Sequence, residues 1–555
     1  MLHWQLTSSG KEHSRRAIKG VLRAPFIDKC HLECTFSYSM SKDLQQVYPV
    51  SSKLLPLAFR SSPPDDLPRL LRQHPQLCGE LPFLADLAEI ELAVYNLTEH
   101  PPSTPSTVSE LTVHPGIELL SVGWAGLPEF LQHGKISEVT KHATMVLLIP
   151  ACSLLPVRVV TPTNQQLLAL KIAVEHLDRP GVAREGGVAI SLIDRIIAAA
   201  VNDGLLLAPV STLVRSPTFF QDPPCYPDRL RAEIFTLQWH ITQACDLHCR
   251  HCYDRSSRDA VSRDQGEQVL DQFHAFCLAN HVAGQISFTG GNPLLHPQFD
   301  DLYLGAVERG FMTAILGNPV HRQVLERIVD IQMPEFYQVS LEGLREHNDY
   351  IRGAGHFDRV LEFLDLTREM KLYSMVMLTL TRDNMKHVLP LAEELRGRTD
   401  LFTFNRLAMT GEGAALASPS REGYEAFLQS YLDAAADNPI MSTKDSLFNI
   451  ILERQGQRYV RGGCAGFGCG AAFNFVSLLP DGEVHACRKL PSLLGNLYQH
   501  SLKEIYRTPL AEKFREGSSA CRHCRLRPVC RGCPAVVSGL GGDILNDIDP
   551  CCFIV

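Results

Sequence analysis

Three cysteines in one short segment have a spacing that could bind a metal cluster. Cys245, Cys249 and Cys252 stand in TQACDLHCRHCYD with the pattern C-x3-C-x2-C, directly after a strand-like run over 234–242. Three thiolates on one loop can hold three irons of a [4Fe–4S] cluster, whose complete protein ligation takes four cysteines. The remaining iron then stays open to a substrate or cofactor, as at catalytic metals generally. By spacing alone the segment also suits zinc, although structural zinc takes a fourth protein ligand.

The cysteines are concentrated toward the end of the chain. Of 18 cysteines in 555 residues, five precede residue 240 and nine lie in the last 92 residues. Such clustering indicates either metal ligation or a disulfide framework. Residues 1–20 lack the apolar segment of a secretory signal, and no run of about 20 apolar residues could span a membrane. We therefore expect a cytoplasmic protein with reduced thiols, which favours metal binding over disulfides.

The overall composition excludes several classes of protein. Hydrophobic residues make up 45% and charged residues 21%, which is ordinary for a globular protein and unlike a disordered or fibrous chain. The formal net charge of −8 provides no general basic field for binding nucleic acid. The length indicates three or four domains.

The elements that position the cysteine loop show a regular alternation from residue 233 onward. Six strand-like runs, the first at 234–242 and the last in LFTFNRLA (401–408), are separated by helical runs over 267–278, 297–309, 321–331, 357–371 and 385–397. This alternation predicts a parallel sheet, either open or curled into a barrel. In such folds the active site lies at the carboxyl ends of the strands, where the cysteine loop stands.

The first 210 residues have a different pattern. Amphipathic helices are predicted at 65–77 and 82–97, followed by a Pro/Ser/Thr-rich loop over 100–110. Two strands around a turn are predicted within 142–163, and the helices 164–177 and 187–207 come next. Strands followed by short helices suit a small winged-helix-like module. A structural subdomain or a dimerisation surface is the alternative interpretation.

The segment CDLHCRHCY and the six βα repeats resemble the radical S-adenosylmethionine (SAM) enzymes over about 233–430. The resemblance implies an α/β fold with a partial (β/α)6 TIM barrel. It also implies that a reduced [4Fe–4S] cluster, held by Cys245, Cys249 and Cys252, passes an electron to SAM. The products are methionine and a 5′-deoxyadenosyl radical, which abstracts hydrogen from the substrate.

Further residues match the SAM-binding positions of that family. FTGGNPLLHP (288–297) resembles the GGEP motif, which binds the SAM amino group through its backbone. Asn292 stands where glutamate is commoner. Ser340 resembles the ribose-contacting serine, and Arg352 resembles the contact to the SAM carboxylate. The full expected set is Gly290, Gly291, Asn292, Pro293, Asn318, Ser340 and Arg352.

The last part of the chain resembles the SPASM domain over about 460–555. The matching pattern is Cys469-x12-Gly482-x4-Cys487, then C-x2-C-x5-C-x2-C from Cys521, with two residues before Cys533 where the family usually has three. The resemblance implies two auxiliary [4Fe–4S] clusters, three clusters in all. The first would use Cys464, Cys469, Cys487 and Cys533; the second would use Cys521, Cys524, Cys530 and Cys551, with Cys552 as the alternative. A zinc ribbon on the central four cysteines is the other interpretation.

The resemblance also implies partners. SPASM-type radical SAM proteins mostly modify ribosomally made peptides, and residues 142–210 resemble the PqqD-like element that binds a precursor by β-augmentation. The architecture is similar to maturases of the selenobiotic peptide family, which implies carbon–sulfur or carbon–selenium bond formation at cysteine or selenocysteine. We expect a precursor peptide bound through the N-terminal module and a flavodoxin or ferredoxin as electron donor. Neither nucleic acid nor membrane is an expected partner.

These interpretations divide the chain into four domains. They are an N-terminal helical domain (1–115), a PqqD-like or winged-helix module (116–225), a radical SAM barrel (230–430) and a SPASM domain (455–555). One rival function is protein formylglycine formation, whose family has aspartate where this chain has Arg488. The other is a non-catalytic iron–sulfur or zinc-binding partner protein. Cys30 and Cys34 carry no assignment, and Cys78, Cys152, Cys225 and Cys277 are expected to be buried small hydrophobes.

Overall fold

The computed structural model describes residues 44–55, 67–150, 156–215, 230–457 and 468–554. These residues form two compact units, one of 44–186 with 192–210 and the other of 187–191 with 211–554. Cys30, Cys34, Cys152, Cys225 and Cys464 lie outside the described residues. Within the described ranges, no helix is both long and apolar enough to cross a membrane.

Helices form the first part of the N-terminal unit. They are Leu44–Val47, Ser51–Leu54, Leu67–Gln73, Leu84–Glu99 and Leu127–His133. The predicted helix 65–77 ends at Gln73 because Pro75 begins a separate 3-10 turn, and proline donates no backbone hydrogen bond. Helix Leu84–Glu99 packs its apolar face into a core that also contains Val122 and Val146 of the following strands. This core extends across the predicted boundary at residue 115, and that boundary stays a prediction.

A small antiparallel sheet and three helices complete this unit. The strands are β1 (Thr112–Val113), β2 (Glu118–Val122), β3 (Thr144–Ile149), β4 (Arg158–Val160) and β5 (Leu206–Leu207), and the helices are Asn164–Glu175, Arg179–Gly186 and Ile190–Asn202. The sheet has the order β2-β3-β4, and β1 pairs with β5. The two strands predicted within 142–163 are therefore observed as β3 and β4. The predicted helix 187–207 ends earlier, at Asn202, because Gly204 turns the chain with φ +80° into β5.

Six parallel strands form the barrel of the second unit. They are β6 (Ile234–Thr242), β7 (Ala283–Gly290), β8 (Met312–Leu316), β9 (Phe336–Ser340), β10 (Ser374–Leu380) and β11 (Leu401–Arg406). Each strand pairs in parallel with the next along the chain. The intervening helices are Arg263–Asn280, Phe299–Glu308, Arg322–Ile331, Arg345–Arg352, His356–Glu369 and Val388–Glu394. The predicted α/β fold with a (β/α)6 partial barrel is confirmed.

Local signals explain how the first βα unit forms. Ser262 and Gln265 make a capping box, in which each side chain accepts a hydrogen bond from the other residue's backbone, and helix Arg263–Asn280 begins there. Its buried residue Phe273 packs against Phe235 of β6, with the ring centroids 6.1 Å apart. Trp239, also on β6, is fully buried beside Phe288 of β7. This packing fixes β6 and therefore the starting point of the cysteine loop.

The C-terminal segment extends the barrel sheet. Its helices are Tyr424–Asp437, Phe448–Arg454, Leu502–Tyr506, Pro509–Glu516 and Pro534–Gly539, and its strands are β12 (Phe475–Leu478), β13 (Glu483–His485) and β14 (Leu493–Asn496). β12 pairs in parallel with β6, while β13 and β14 continue antiparallel, so one sheet of nine strands results. The cysteine-rich segment is thus attached directly to the first strand of the barrel.

Candidate active site at the strand ends

The three motif cysteines lie on the loop that follows β6. The loop begins where the backbone N–H of Ala244 donates to Oγ1 of Thr242 at 3.1 Å, and it turns where the N–H of Cys252 donates to the carbonyl of Cys249 at 3.2 Å. Cys245 is exposed, while Cys249 and Cys252 are half-buried. The loop therefore places three thiols at the carboxyl end of the barrel, with the Cys245 residue exposed.

Arg352 lies beside the middle cysteine. Its Nη1 donates to Sγ of Cys249 at 3.7 Å, and the residue sits at the end of helix Arg345–Arg352, which the sequence patterns did not predict. Burial raises the pKa of the Cys249 thiol, and the positive charge of Arg352 opposes that increase. The guanidinium therefore favours the thiolate form that binds iron.

Glu342 connects Arg352 to the cysteine loop, and it was missed at the level of sequence. Its carboxylate is 2% exposed and accepts hydrogen bonds from Nε and Nη2 of Arg352 at 2.9 and 2.6 Å. The other oxygen accepts from the N–H of Thr379 at 2.8 Å, and Nε2 of His251 lies 3.1 Å from Oε1. Burial alone raises the pKa of Glu342, but His251 and Arg352 outweigh it and hold this pKa well below its usual range. The only sequence signal was an acidic residue two positions after β9.

Gly290 and Gly291 place the end of β7 directly against the cysteine loop. Gly290 has φ +138°, and a Cβ there would lie 2.0 Å from the carbonyl oxygen of Thr242. A Cβ on Gly291 would lie 2.2 Å from the carbonyl oxygen of Ala244. The N–H groups of Gly291 and Asn292 donate to these carbonyls at 2.9 and 2.7 Å. The motif therefore supports the cysteine loop through its backbone, in addition to any contact with SAM.

Two amides converge on Asp246 beside the first cysteine. Nδ2 of Asn292 and Nδ2 of Asn318 both donate to Oδ1 of Asp246, at 3.0 and 2.6 Å. Asn318 also lies 3.9 Å from Sγ of Cys245. An amide suits this position because it can donate to the carboxylate, whereas the glutamate common in the family cannot. Asp246 is a further site residue that the sequence patterns missed.

The remaining predicted SAM contacts have less defined surroundings. Pro293 is buried and starts a short 3-10 turn, Pro293–Leu295, after Asn292. Ser340 is the half-buried last residue of β9 and lies opposite Met377 of β10 in the sheet register. All the predicted SAM-binding residues except Arg352 thus lie at the carboxyl ends of strands β7, β8 and β9 or just beyond them, and Arg352 lies at the end of helix Arg345–Arg352. Their contacts with SAM stay predictions.

The C-terminal cysteines lie in the same unit as the barrel. Cys521, Cys524, Cys530 and Cys552 line a cavity of about 420 Å3. Cys469 lies close to this group, since its N–H donates to the carbonyl of Cys530 at 3.4 Å, and the N–H of Cys533 donates to Asp549, which also lines the cavity. Arg488, next to Cys487, forms an ion pair with Asp254 of the motif loop.

Both cysteine groups fit iron–sulfur clusters by their chemistry. Among the described residues, no three His, Cys, Asp or Glu side chains are placed to share one metal ion. A [4Fe–4S] cluster instead takes each thiolate on a separate iron, so thiols around an open space suit it. The three motif thiols and the four cavity thiols are such sets. Cys464 was expected in the first auxiliary set and lies outside the described residues.

Comparison with known families agrees with this geometry. Residues 239–395 match the radical SAM superfamily, and residues 469–534 match the SPASM iron–sulfur cluster-binding domain. The chain therefore carries a radical SAM domain followed by a SPASM iron–sulfur cluster-binding domain. The predicted resemblance, class of enzyme and cofactor classes, namely SAM, a catalytic [4Fe–4S] cluster and further iron–sulfur clusters, are confirmed. The match to the SPASM model ends before Cys551 and Cys552.

Individual relatives of this chain are distant. An AdoMet-dependent heme synthase of Methanosarcina barkeri is 25% identical over 347 residues, which are 57% of this chain and 95% of that protein. The antilisterial bacteriocin subtilosin biosynthesis protein AlbA of Bacillus subtilis is 24% identical over 313 residues, 53% of this chain and 66% of AlbA. The crystal structure of Streptococcus suis SuiB bound to precursor peptide SuiA has 16% identity and a TM-score of 0.47, covering 74% of this chain and 96% of SuiB.

Proposed function

We propose that this enzyme cleaves SAM reductively and modifies a ribosomally synthesised peptide by hydrogen abstraction. One observation carries the proposal: Cys245, Cys249 and Cys252 share one loop at the open end of the barrel, in a unit that also carries the SPASM cysteines. When bound, the cluster and SAM supply a 5′-deoxyadenosyl radical that abstracts a hydrogen atom from the substrate. The chain itself binds and orients these groups and keeps water away from them.

The residues around the loop have distinct roles in this proposal. In this proposal Arg352 stabilises the Cys249 thiolate and also pairs with a SAM carboxylate. Glu342 holds the Arg352 side chain in place. The residues at the end of β7 hold the cysteine loop in place, and their backbone groups are proposed to bind the SAM amino group. The proposed SAM-binding set is Gly290, Gly291, Asn292, Pro293, Asn318, Ser340 and Arg352.

The choice of a peptide substrate is supported by the N-terminal unit. The relatives include a tetrapyrrole enzyme and a bacteriocin biosynthesis protein, so the shared domains alone leave the substrate class open. The three-stranded sheet β2-β3-β4 followed by three helices suits a peptide-binding module, because a peptide can pair with an edge strand. We propose that a precursor peptide adds a strand at this sheet.

The SPASM domain is proposed to hold two auxiliary [4Fe–4S] clusters. The first set is Cys464, Cys469, Cys487 and Cys533, and the second is Cys521, Cys524, Cys530 and one cysteine of the Cys551/Cys552 pair. An auxiliary cluster can accept the electron released when a substrate radical closes onto sulfur or selenium. We therefore propose carbon–sulfur or carbon–selenium bond formation at Cys or Sec, with a flavodoxin or ferredoxin supplying the electron for SAM cleavage.

The formylglycine alternative lacks its base at the expected position. Arg488 follows Cys487 and is bound to Asp254, which also accepts from Nε2 of Gln243 at 2.9 Å. Burial alone raises the pKa of Asp254, but hydrogen bonds from Ser256 and the Arg488 charge outweigh it and lower this pKa well below its usual range. A carboxylate held in that way is a weak base. This arrangement favours peptide crosslinking over formylglycine formation.

Anaerobic reconstitution tests the proposed catalysis. The protein is incubated with SAM and dithionite, and 5′-deoxyadenosine is measured by chromatography against a Cys245→Ala control. We expect formation in the wild type and none in the variant, and equal amounts in both would refute the proposal.

Co-expression with a short peptide encoded by a neighbouring reading frame, in particular one rich in Cys or with an in-frame UGA, tests the substrate. Mass spectrometry should show the loss of two hydrogens for a crosslink. An unchanged peptide mass alongside active SAM cleavage would contradict the peptide assignment alone.

A further inference from the structure

Two adjacent cysteines near the C-terminus have different surroundings. Cys551 is fully buried, and its Sγ donates to the carbonyl of Pro419 at 3.4 Å. Cys552 is partly exposed. The sequence patterns expected Cys551 as the last ligand of the second auxiliary cluster, with Cys552 as the alternative. The different directions of the two thiols now distinguish between them.

The 420 Å3 cavity contains only one of these two thiols. Its cysteine lining consists of Cys521, Cys524, Cys530 and Cys552. Four thiols are the complement that a [4Fe–4S] cluster needs. Arg527 and Arg531 also line this cavity, and their positive charges favour thiolates over thiols. Cys551 instead lies beside Arg406, on the side of the barrel.

Asp549 fixes the direction of both cysteines. Its Oδ1 accepts from the N–H of Cys551 at 2.9 Å, and its carbonyl accepts from the N–H of Cys552 at 2.9 Å. These two bonds make a tight turn over 549–552, in which consecutive side chains diverge. Oδ2 of Asp549 also accepts from the N–H of Cys533 at 2.8 Å. Asp549 thus contacts proposed ligands of both auxiliary clusters, Cys533 through its carboxylate and Cys552 through its backbone carbonyl, while the carboxylate also holds the N–H of Cys551.

Arg406 fixes Asp549 in turn. Nη1 and Nη2 of Arg406 each donate to a different oxygen of Asp549 at 2.7 Å, and Nε donates to Asp445 at 2.7 Å. The side chains of Arg406 and Asp549 are 1% and 2% exposed. A bidentate pair sheltered from water is directional and rigid. Arg406 ends β11, so the last barrel strand positions the terminal cysteine turn.

We propose that Cys552, and not Cys551, completes the second auxiliary cluster, and that Asp549, held by Arg406, is the positioning residue that makes this choice. The inference deepens the proposed function, because it rests on the auxiliary clusters proposed there. It assigns a ligand that lies beyond the residues matched by the SPASM family.

Iron content distinguishes the two cysteines. Wild type, Cys551→Ala and Cys552→Ala are reconstituted anaerobically as full chains, and iron, sulfide and the EPR spectra of the reduced proteins are measured. We expect about twelve irons per chain in the wild type and in Cys551→Ala. In Cys552→Ala we expect one EPR signal to change or disappear, with the iron content falling toward about eight per chain, because only three thiolates remain for that cluster. Cys551→Val, which keeps buried volume, replaces Cys551→Ala if circular dichroism shows misfolding.

Each other outcome contradicts a defined part of the proposal. Equal losses in the two variants, or a loss in Cys551→Ala alone, overturn the choice of Cys552. A wild type with about four irons overturns the auxiliary clusters themselves and this inference with them.

The role of Asp549 has its own matched control. Asp549→Asn and Asp445→Asn each remove one carboxylate from Arg406, but Asp445 accepts no hydrogen bond from a cysteine N–H among the described contacts. We expect Asp549→Asn to shift the EPR signals and reduction potentials of both auxiliary clusters, and Asp445→Asn, which removes a nearby charge but no hydrogen bond to a cysteine N–H, to shift them less. Equal shifts of the EPR signals and reduction potentials in the two variants would contradict the positioning role of Asp549 and show that it only pairs with Arg406.

Discussion

Nη2 of Arg352 lies 2.6 Å from Oε1 of Glu342, while Nη1 of the same guanidinium lies 3.7 Å from Sγ of Cys249. One arginine thus links a buried carboxylate to a proposed iron ligand. Both side chains of the ion pair are largely sheltered from water, with 11% of Arg352 and 2% of Glu342 exposed. The direction of the Arg352 side chain therefore depends on Glu342, which makes no hydrogen bond to a cysteine among the described residues.

Glu342→Gln should impair both stability and SAM cleavage. The substitution leaves the Arg352 charge buried without its counter-ion, which costs about 3–5 kcal/mol. Released from Glu342, Arg352 loses its fixed direction toward Cys249, and we expect 5′-deoxyadenosine formation to fall by about tenfold or more. Urea unfolding and chromatography of the reaction products measure the two effects.

Asp358→Asn is the matched control for this change. Asp358, on helix His356–Glu369, pairs with Arg345 of the preceding helix, and both side chains are about half exposed. Exposed pairs contribute little to stability, so stability and SAM cleavage should stay close to wild type. Similar losses of stability and SAM cleavage in Glu342→Gln and Asp358→Asn would mean that Glu342 acts only through the net charge of the protein and not through its contact with Arg352.

Gly291→Ala should disturb the cysteine loop without removing any thiol. The new Cβ would lie 2.2 Å from the carbonyl oxygen of Ala244 and 2.7 Å from that of Gln243, and both are backbone atoms of the cysteine loop. Overpacking of this kind costs about 3 kcal/mol, and here the movable part is the loop that carries Cys245. We expect the variant to retain less iron at the catalytic site, measured by the EPR signal and by SAM cleavage.

Gly123→Ala provides the comparison. Its added Cβ would meet its nearest atom at 3.4 Å, which is ordinary contact, and iron binding should be unchanged. Normal catalytic iron in Gly291→Ala would show that the loop tolerates the displacement.

Much of the barrel and many of the candidate ligands could be predicted from local sequence. The strands β6 to β11 follow from alternating apolar runs, and Cys245, Cys249 and Cys252 follow from spacing within eight positions of the chain. These signals are local, because each depends on residues close together in sequence. The end of helix 187–207 was misjudged for a local reason as well, since Gly204 permits a turn that periodicity does not record.

The residues that orient the ligands could not be predicted in the same way. Asn318 donates a hydrogen bond to Asp246, from which it is separated by 72 positions in the sequence, and Arg406 donates to Asp549 over a separation of 143 positions. Such pairs exist only after the strands are assembled, and an isolated Asp or Arg is typically a solvated surface residue. The difference between Cys551 and Cys552 belongs to this class, because both have the same sequence surroundings.

The contact between Asn292 and Asp246 explains the departure from the family motif and can be tested by exchange. Asn292→Asp places a second carboxylate beside Asp246, where an amide now donates at 3.0 Å. Like charges at this distance repel, so we expect lower stability and weaker retention of iron. Asp246→Asn in the same chain restores one amide and one carboxylate and should recover most of the stability and most of the iron.

The two single variants and the double variant form a thermodynamic cycle, measured by thermal unfolding, with an expected coupling of about 1–2 kcal/mol. If the effects of the two single substitutions on stability add within about 0.5 kcal/mol, the two side chains do not interact. Electrostatics would then not explain why this chain has asparagine at position 292.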